Sequence, residues 1–159
     1  MDSLTPESCG ITKPRRVVVP VRDPKNLSHL KKVLRETRND TDVVVMSAKI
    51  GTGYQLEGDL SQSSEDEDVL FTQIIAVAEK AGHEVIPILI PSNDPFFAMA
   101  RVAYDLGAQE LAVGRSGKFS PELQMERIAI AWGTVRPKTG QSLRIRIIWE
   151  GSEFREDII

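Results

Sequence analysis

The residues with the clearest chemical potential stand together in Leu111-Ala112-Val113-Gly114-Arg115-Ser116-Gly117-Lys118. An apolar run breaks there at a glycine into a short loop bearing Arg115, Ser116, Gly117 and Lys118, and Ser120-Pro121 opens a helix just beyond. Glycines let backbone N–H groups approach an anion closely, and the following helix turns its positive end the same way. The chemistry implied is anion binding, most naturally phosphate, rather than bond making. Gly114 and Gly117 are also open to a plainer reading, the turn chemistry that carries a strand into a helix. Ser120 suits a helix N-cap, while Arg115 and Lys118 suit either phosphate charge or simple solvation. Arg127, on the helix that leaves this loop, is a further cation for an anion or for solvent.

These residues need a scaffold, and the hydrophobic pattern describes one. Residues 17–21 are an apolar, β-branched-rich run, the mark of a strand buried on both faces. A turn at Arg22-Asp23-Pro24-Lys25-Asn26 leads to a helical stripe of Leu27, Leu30, Val33 and Leu34 that ends near Asn39-Asp40. Residues 43–46 read as a second buried strand. Residues 51–68 are long and polar: their beginning, through residue 65, is expected to be a mobile loop, and the acidic run Glu65-Asp66-Glu67-Asp68 to start a helix that stops at Gly82. That run is expected to be solvated rather than metal-binding, because consecutive carboxylates diverge. Residues 85–90 make a third strand. Asp94-Pro95 caps a helix through Leu106 that Gly107 terminates, 110–113 is a fourth strand, and 121–135 is a fourth helix. Leu143, Ile145, Ile147 and Trp149 then alternate with Arg144 and Arg146, the half-exposed pattern of an edge strand.

The expected fold class is therefore α/β, a five-stranded open parallel sheet with helices on both faces. Residues 1–14 read as a leader or linker, 15–150 as the domain and 151–159 as a tail. Ligands of such sheets sit at the carboxyl ends of strands, near the point where strand order reverses.

Composition removes several classes. The 159 residues are 41% hydrophobic and 27% charged, enough for one domain with a core. A net charge of −3 argues against a nucleic-acid partner. The apolar runs fall well short of the roughly 20 residues that span a bilayer. The lone Cys9 permits no intrachain disulfide and suits a reducing, cytoplasmic setting. No G-x-x-x-x-G-K-[ST], G-x-G-x-x-G or G-x-S-x-G motif occurs. A phospho-receiver needs an acidic cluster after the first strand and an acceptor Asp after the third, where this chain has Asp23 alone and Pro91-Ser92. With only His29 and His83, both expected to face solvent, neither a hydrolytic triad nor a zinc site is expected. No metal is expected.

The opening VVVPVRDPKN, the segment LGAQELAVGRSGKFS and the final strand resemble the universal stress protein family over residues 15–150. Within it, V-x-V-P-V-x-x-P-x-N and the Ala131-Trp132 helix ending with Pro137 beyond resemble the domain attached to the cytosolic end of amino-acid permeases of the amino acid–polyamine–organocation type. The resemblance implies an adenine-nucleotide alpha hydrolase-like fold, ATP or AMP binding, no catalysis, and a homodimer through the last strand, Leu143 to Trp149. It further implies a transporter membrane domain as partner, in cis or in trans, and a place in the cytoplasm at the cytosolic face of the membrane. The family's phosphate pattern is G-x2-G-x9-G-[ST]. Gly114 and Gly117 fill its first half, but Arg127 and Ile128 stand where Gly-[ST] belongs, and Gly133-Thr134 comes six residues late. The family's acidic nucleoside contact after the first strand is Arg22 here, with Asp23 one place on. The resemblance thus assigns Arg22, Asp23, Gly114, Arg115, Ser116, Gly117 and Lys118 to a degenerate nucleotide site, and ATP or AMP binding is expected to be weak or absent. Two readings follow: a regulatory domain that senses a nucleotide, or a nucleotide-free dimerisation scaffold. A free-standing ATP/AMP-binding stress protein is a variant of the first.

Overall fold

Valines on both faces of two adjoining strands set the centre of the sheet. β1 (Arg15–Pro20) and β2 (Thr41–Lys49) run parallel, with Val17 opposite Val43 and Val18 opposite Val44, and all four are almost wholly buried. A strand covered on both sides can carry a β-branched residue at every position, because each face meets a helix layer. The structure is a computed structural model that describes residues 5–49, 57–135, 141–149 and 152–158, with the backbone alone for 48–49 and 57–67.

The remaining elements follow in alternation: α1 (Ser28–Glu36), α2 (Glu57–Ala81), β3 (Val85–Pro91), α3 (Pro95–Asp105), β4 (Glu110–Gly114), α4 (Pro121–Val135), β5 (Leu143–Trp149) and β6 (Ser152–Ile158). The sheet order is β3-β2-β1-β4-β5-β6, parallel throughout except for the antiparallel β5–β6 pair. The chain therefore steps outward from β1 to β3, then returns to the other side of β1 with β4. The strand order reverses between β1 and β4.

Two cores result. Val17, Val19, Val43 and Val45 pack under α1 and α2 against Leu30, Val33 and Ile74. Val18, Val44, Leu111 and Ile145 pack under α3 and α4 against Ala103, Ile128 and Trp132. Each buried Val, Leu or Ile among these stabilises the fold by about 1.5–3 kcal/mol through burial alone. Local chemistry agrees with the packing. Asp94 accepts from the N–H groups of Phe96 and Phe97, with Pro95 at the first helical position. Gly82 and Gly107 follow α2 and α3 with φ of 69° and 63°, the left-handed turn that only glycine adopts cheaply. Ile11 is buried in the α3/α4 core, and the Thr12 and Lys13 amides bond Asp42, so the segment before β1 is docked.

The α/β class is as expected from sequence, with helices on both faces, but the sheet has six strands rather than five. Residues 152–158, expected as a tail, form β6 along the outer side of β5, from Leu143 opposite Ile158 to Trp149 opposite Ser152. The expectation that β5 offers an unpaired edge is therefore corrected. β6 was hard to read because its apolar residues are sparse: Phe154 and Ile158 pack on the core, while Glu153, Arg155 and Asp157 alternate with them.

The expected loop over 51–65 is also corrected where it can be seen. Residues 57–65 belong to α2, which places the acidic run inside the helix rather than at its start; 51–56 lie outside the described residues. The packed turns from Leu70 to Ala78 supply a nucleus, and a proline-free polar segment extends such a helix at little cost.

Candidate functional site

The carboxyl ends of β1 and β4 lie side by side at the reversal point, so the loops after Pro20 and after Gly114 face the same crevice. The residues assigned to the nucleotide site, Arg22, Asp23 and 114–118, are on these two loops. What differs from expectation is where their polar groups point.

In the first loop, Arg22 and Asp23 are both exposed. Asp23 Oδ1 accepts from the Lys25 amide at 2.9 Å, and its carbonyl accepts from the Asn26 amide at 2.9 Å. Its carboxylate closes its own turn, a common use of Asp in such positions.

The second loop is more tightly committed. The Arg115 amide donates to the Ile148 carbonyl at 3.2 Å. The Ser116 amide donates to Gln124 Oε1 at 3.0 Å, and Gln124 Nε2 donates back to the Gly114 carbonyl at 2.9 Å. Ser116 Oγ accepts from the amides of Lys118 at 3.0 Å and Phe119 at 3.3 Å. A phosphate cradle needs unpaired backbone donors pointing into the crevice. Here the amides of residues 115, 116, 118 and 119 are already satisfied inside the protein. Gln124, only 4% exposed on α4, is the clamp.

The cations around the loop are also placed. The Arg115 guanidinium lies over the Trp149 ring at 5.5 Å, and that of Arg127 over Phe119 at 5.6 Å. Phe119 in turn packs on Phe96 at 5.8 Å. Lys118 is exposed. Ser120 Oγ accepts from the Leu123 amide at 3.2 Å, the expected N-cap.

The two glycines separate by role. A Cβ on residue 114 would lie 2.9 Å from His29 Nδ1, so Gly114 is required by a neighbouring ring. At Gly117 an added Cβ meets nothing within 4 Å.

His29 corrects the expectation that both histidines face solvent. It is 2% exposed, wedged on the first turn of α1 between the ends of β1 and β4. Nε2 lies 2.7 Å from the Pro20 carbonyl, which only accepts, so Nε2 carries the proton. Nδ1 is left unprotonated, buried and without a partner among the described residues. Burial lowers the pKa of His29, more than the Pro20 bond raises it. Spacing held a signal for this burial, since His29 stands four residues before Val33 on the flank of the apolar stripe. His83 is half-buried, with Nδ1 near the Glu84 carbonyl.

A second polar cluster lies at the other end of the strands. Arg146, 5% exposed, bonds Glu36 at 2.9 Å, Glu110 at 3.1 Å and Glu153 at 2.6 Å. Arg155 and Lys32 also meet Glu153, and Arg144 meets Asp157 at 2.8 Å. Burial pushes the Glu153 carboxyl up, but hydrogen bonds from Arg146 and Arg155 outweigh it and hold it at about 2. Burial lowers the pKa of Arg146, but Glu153, Glu36 and Glu110 outweigh it and raise it. Alternation along β5 made Arg146 look half-exposed; β6 and α1 bring the acids that bury it.

Among the described residues no cluster of His, Cys, Asp or Glu has the arrangement of a metal site, and no helix is long and apolar enough to cross a membrane.

No family model and no curated protein matches this chain. Solved structures do. A universal stress protein from Archaeoglobus fulgidus aligns with TM-score 0.53 and 19% identity, covering 79% of this chain and 93% of that one. The universal stress protein from Archaeoglobus fulgidus in complex with dAMP gives TM-score 0.55 at 17% identity, over 84% of this chain and 98% of that one. A universal stress protein in complex with cAMP gives TM-score 0.55 at 16% identity, over 86% and 98%. At such identities the likeness concerns the backbone alone: this chain has the fold of the universal stress proteins.

Proposed function

We propose that the chain is a universal-stress-protein-like regulatory module, a non-catalytic cytosolic part of an amino-acid permease-type transporter, attached in cis or acting in trans. It meets ATP or AMP weakly or not at all. The observation that carries the ligand half is the Gln124 clamp. It occupies the Ser116 amide and the Gly114 carbonyl, in the loop where a nucleotide phosphate would be held. Solved proteins of the same fold are complexes with dAMP and cAMP, which supports adenine nucleotides as the class to test. The VVVPVRDPKN opening and the Ala131-Trp132 helix ending support the permease connection.

The homodimer implied by the resemblance needs a free edge on β5. With β6 paired along that edge, association through Leu143–Trp149 is conditional on release of β6.

Titration of the chain with a fluorescent ATP analogue tests the ligand half, alone and as Arg115→Ala with Lys118→Ala. No saturation below millimolar nucleotide is expected. Tight binding lost in the double variant would overturn the closed-loop reading. Amino-acid uptake by cells carrying the permease with and without this domain tests the regulatory half, and identical uptake with and without it would sink it.

A further inference from the structure

A cavity of about 530 Å³ opens at the amino ends of the strands, away from the crevice between the loops after β1 and β4. β1 is six residues long, so the two places stand about 20 Å apart along the sheet. Six arginines line this cavity, Arg15, Arg16, Arg38, Arg144, Arg146 and Arg155, against three acids. Glu153 and Asp157 stand beside them, so the positive charge without an acid partner in this cavity is concentrated at its mouth.

The arginines fall into two sets. Arg144, Arg146 and Arg155 are engaged by Asp157, Glu36, Glu110 and Glu153, which fixes them as the wall. Arg15 and Arg38 have no hydrogen-bond or ion-pair partner for their side chains among the described residues. Arg16, next to Arg15 on β1 and so turned to the opposite face, donates Nη1 to the Leu106 carbonyl at 3.2 Å on the α3 side. The backbone brings Arg15 and Arg38 to one mouth. The Arg15 amide donates to the Asp40 carbonyl at 3.1 Å, and the Thr41 amide to the Arg38 carbonyl at 3.2 Å, tying the α1–β2 turn to the start of β1.

Guanidinium groups are always charged and present forked donors that match carboxylate and phosphate oxygens in pairs. Holding two such groups at one concave mouth beside the arginine wall costs mutual repulsion, which a multivalent anion relieves. We propose that this cavity binds a small polyanion with at least two phosphate or carboxylate groups, gripped by Arg15 and Arg38. The wall of Arg144, Arg146 and Arg155 sets its position. This site is independent of the nucleotide reading of the 114–118 loop.

Calorimetric titration of the full chain with inorganic pyrophosphate and with citrate, against chloride at matched ionic strength, tests the proposal. Saturable binding of at least one is expected, and the tighter of the two names the oxyanion class. Arg15→Gln with Arg38→Gln, at exposed positions, is expected to weaken it by at least about tenfold, the loss of charge-assisted hydrogen bonds. Arg38→Gln alone, expected to give a smaller loss in the same direction, covers the case in which the double variant misfolds. Arg115→Gln with Lys118→Gln is expected to leave binding unchanged. Binding no tighter than chloride, binding indifferent to Arg15 and Arg38, or binding lost with Arg115 and Lys118 would each overturn it.

Discussion

His29 and Gly114 touch across the crevice between β1 and β4: the imidazole Nδ1 lies 2.9 Å from where a Cβ of residue 114 would stand. The ring cannot retreat freely, because Nε2 is held 2.7 Å from the Pro20 carbonyl. Gly114→Ala is therefore expected to destabilise the fold by about 1–3 kcal/mol through overpacking. Urea unfolding measures it. If His29→Ala in the same chain does not recover part of the loss, the contact is not its cause.

Acid should act on this same ring. Burial depresses the His29 pKa below its ordinary 6.5, so the folded state resists the proton that the unfolded state takes up. A depressed pKa contributes stability that is present above 6.5 and is lost as pH falls toward the folded value. The slope approaches about 1.4 kcal/mol per pH unit in that window. Unfolding free energies between pH 7 and pH 5 should therefore fall in the native chain and stay flatter in His29→Gln. Parallel curves for the two proteins would remove His29 as the titrating group.

Arg146 is the cation on which three carboxylates depend. Arg146→Met leaves Glu36, Glu110 and Glu153 facing one another in a half-buried site, and a loss of about 3–5 kcal/mol is expected. Glu153, held at about 2 in the folded chain against an ordinary 4.5, contributes stability present above 4.5 and lost as pH falls toward 2. The variant should lose that acid transition, and a carboxylate titration by NMR should find Glu153 well above its native value. An unchanged Glu153 titration would show that Arg155 and Lys32 hold it without Arg146.

Removal of residues 152–158 bares the N–H and C=O groups along the outer side of β5. An open, apolar strand edge recruits another strand, and a second copy is the nearest one. The intact chain is expected to sediment as a monomer at high micromolar concentration and the shortened chain as a dimer, with circular dichroism confirming that it stays folded. An intact chain that sediments as a dimer would place the contact elsewhere than on a bared β5.

Sequence carried most of the fold. Valine-rich runs at 17–21 and 43–46 can only be strands covered on both faces, and Gly82, Gly107, Asp94-Pro95 and Ser120-Pro121 mark helix ends by local backbone chemistry alone. The loop at 114–118 was legible for the same reason, since its glycine and the helix after it are neighbours in the chain. Its condition was not. Whether an amide is free for phosphate depends on Gln124 one helical turn into α4, and whether Gly114 is obligatory depends on His29 from α1. Arg146 reads as a surface charge until Glu36, more than a hundred residues earlier, and Glu153 from β6 arrive beside it. Periodicity reports which face of an element is apolar. Only packing decides which distant polar groups meet there, and those meetings determine whether a donor is spent or available.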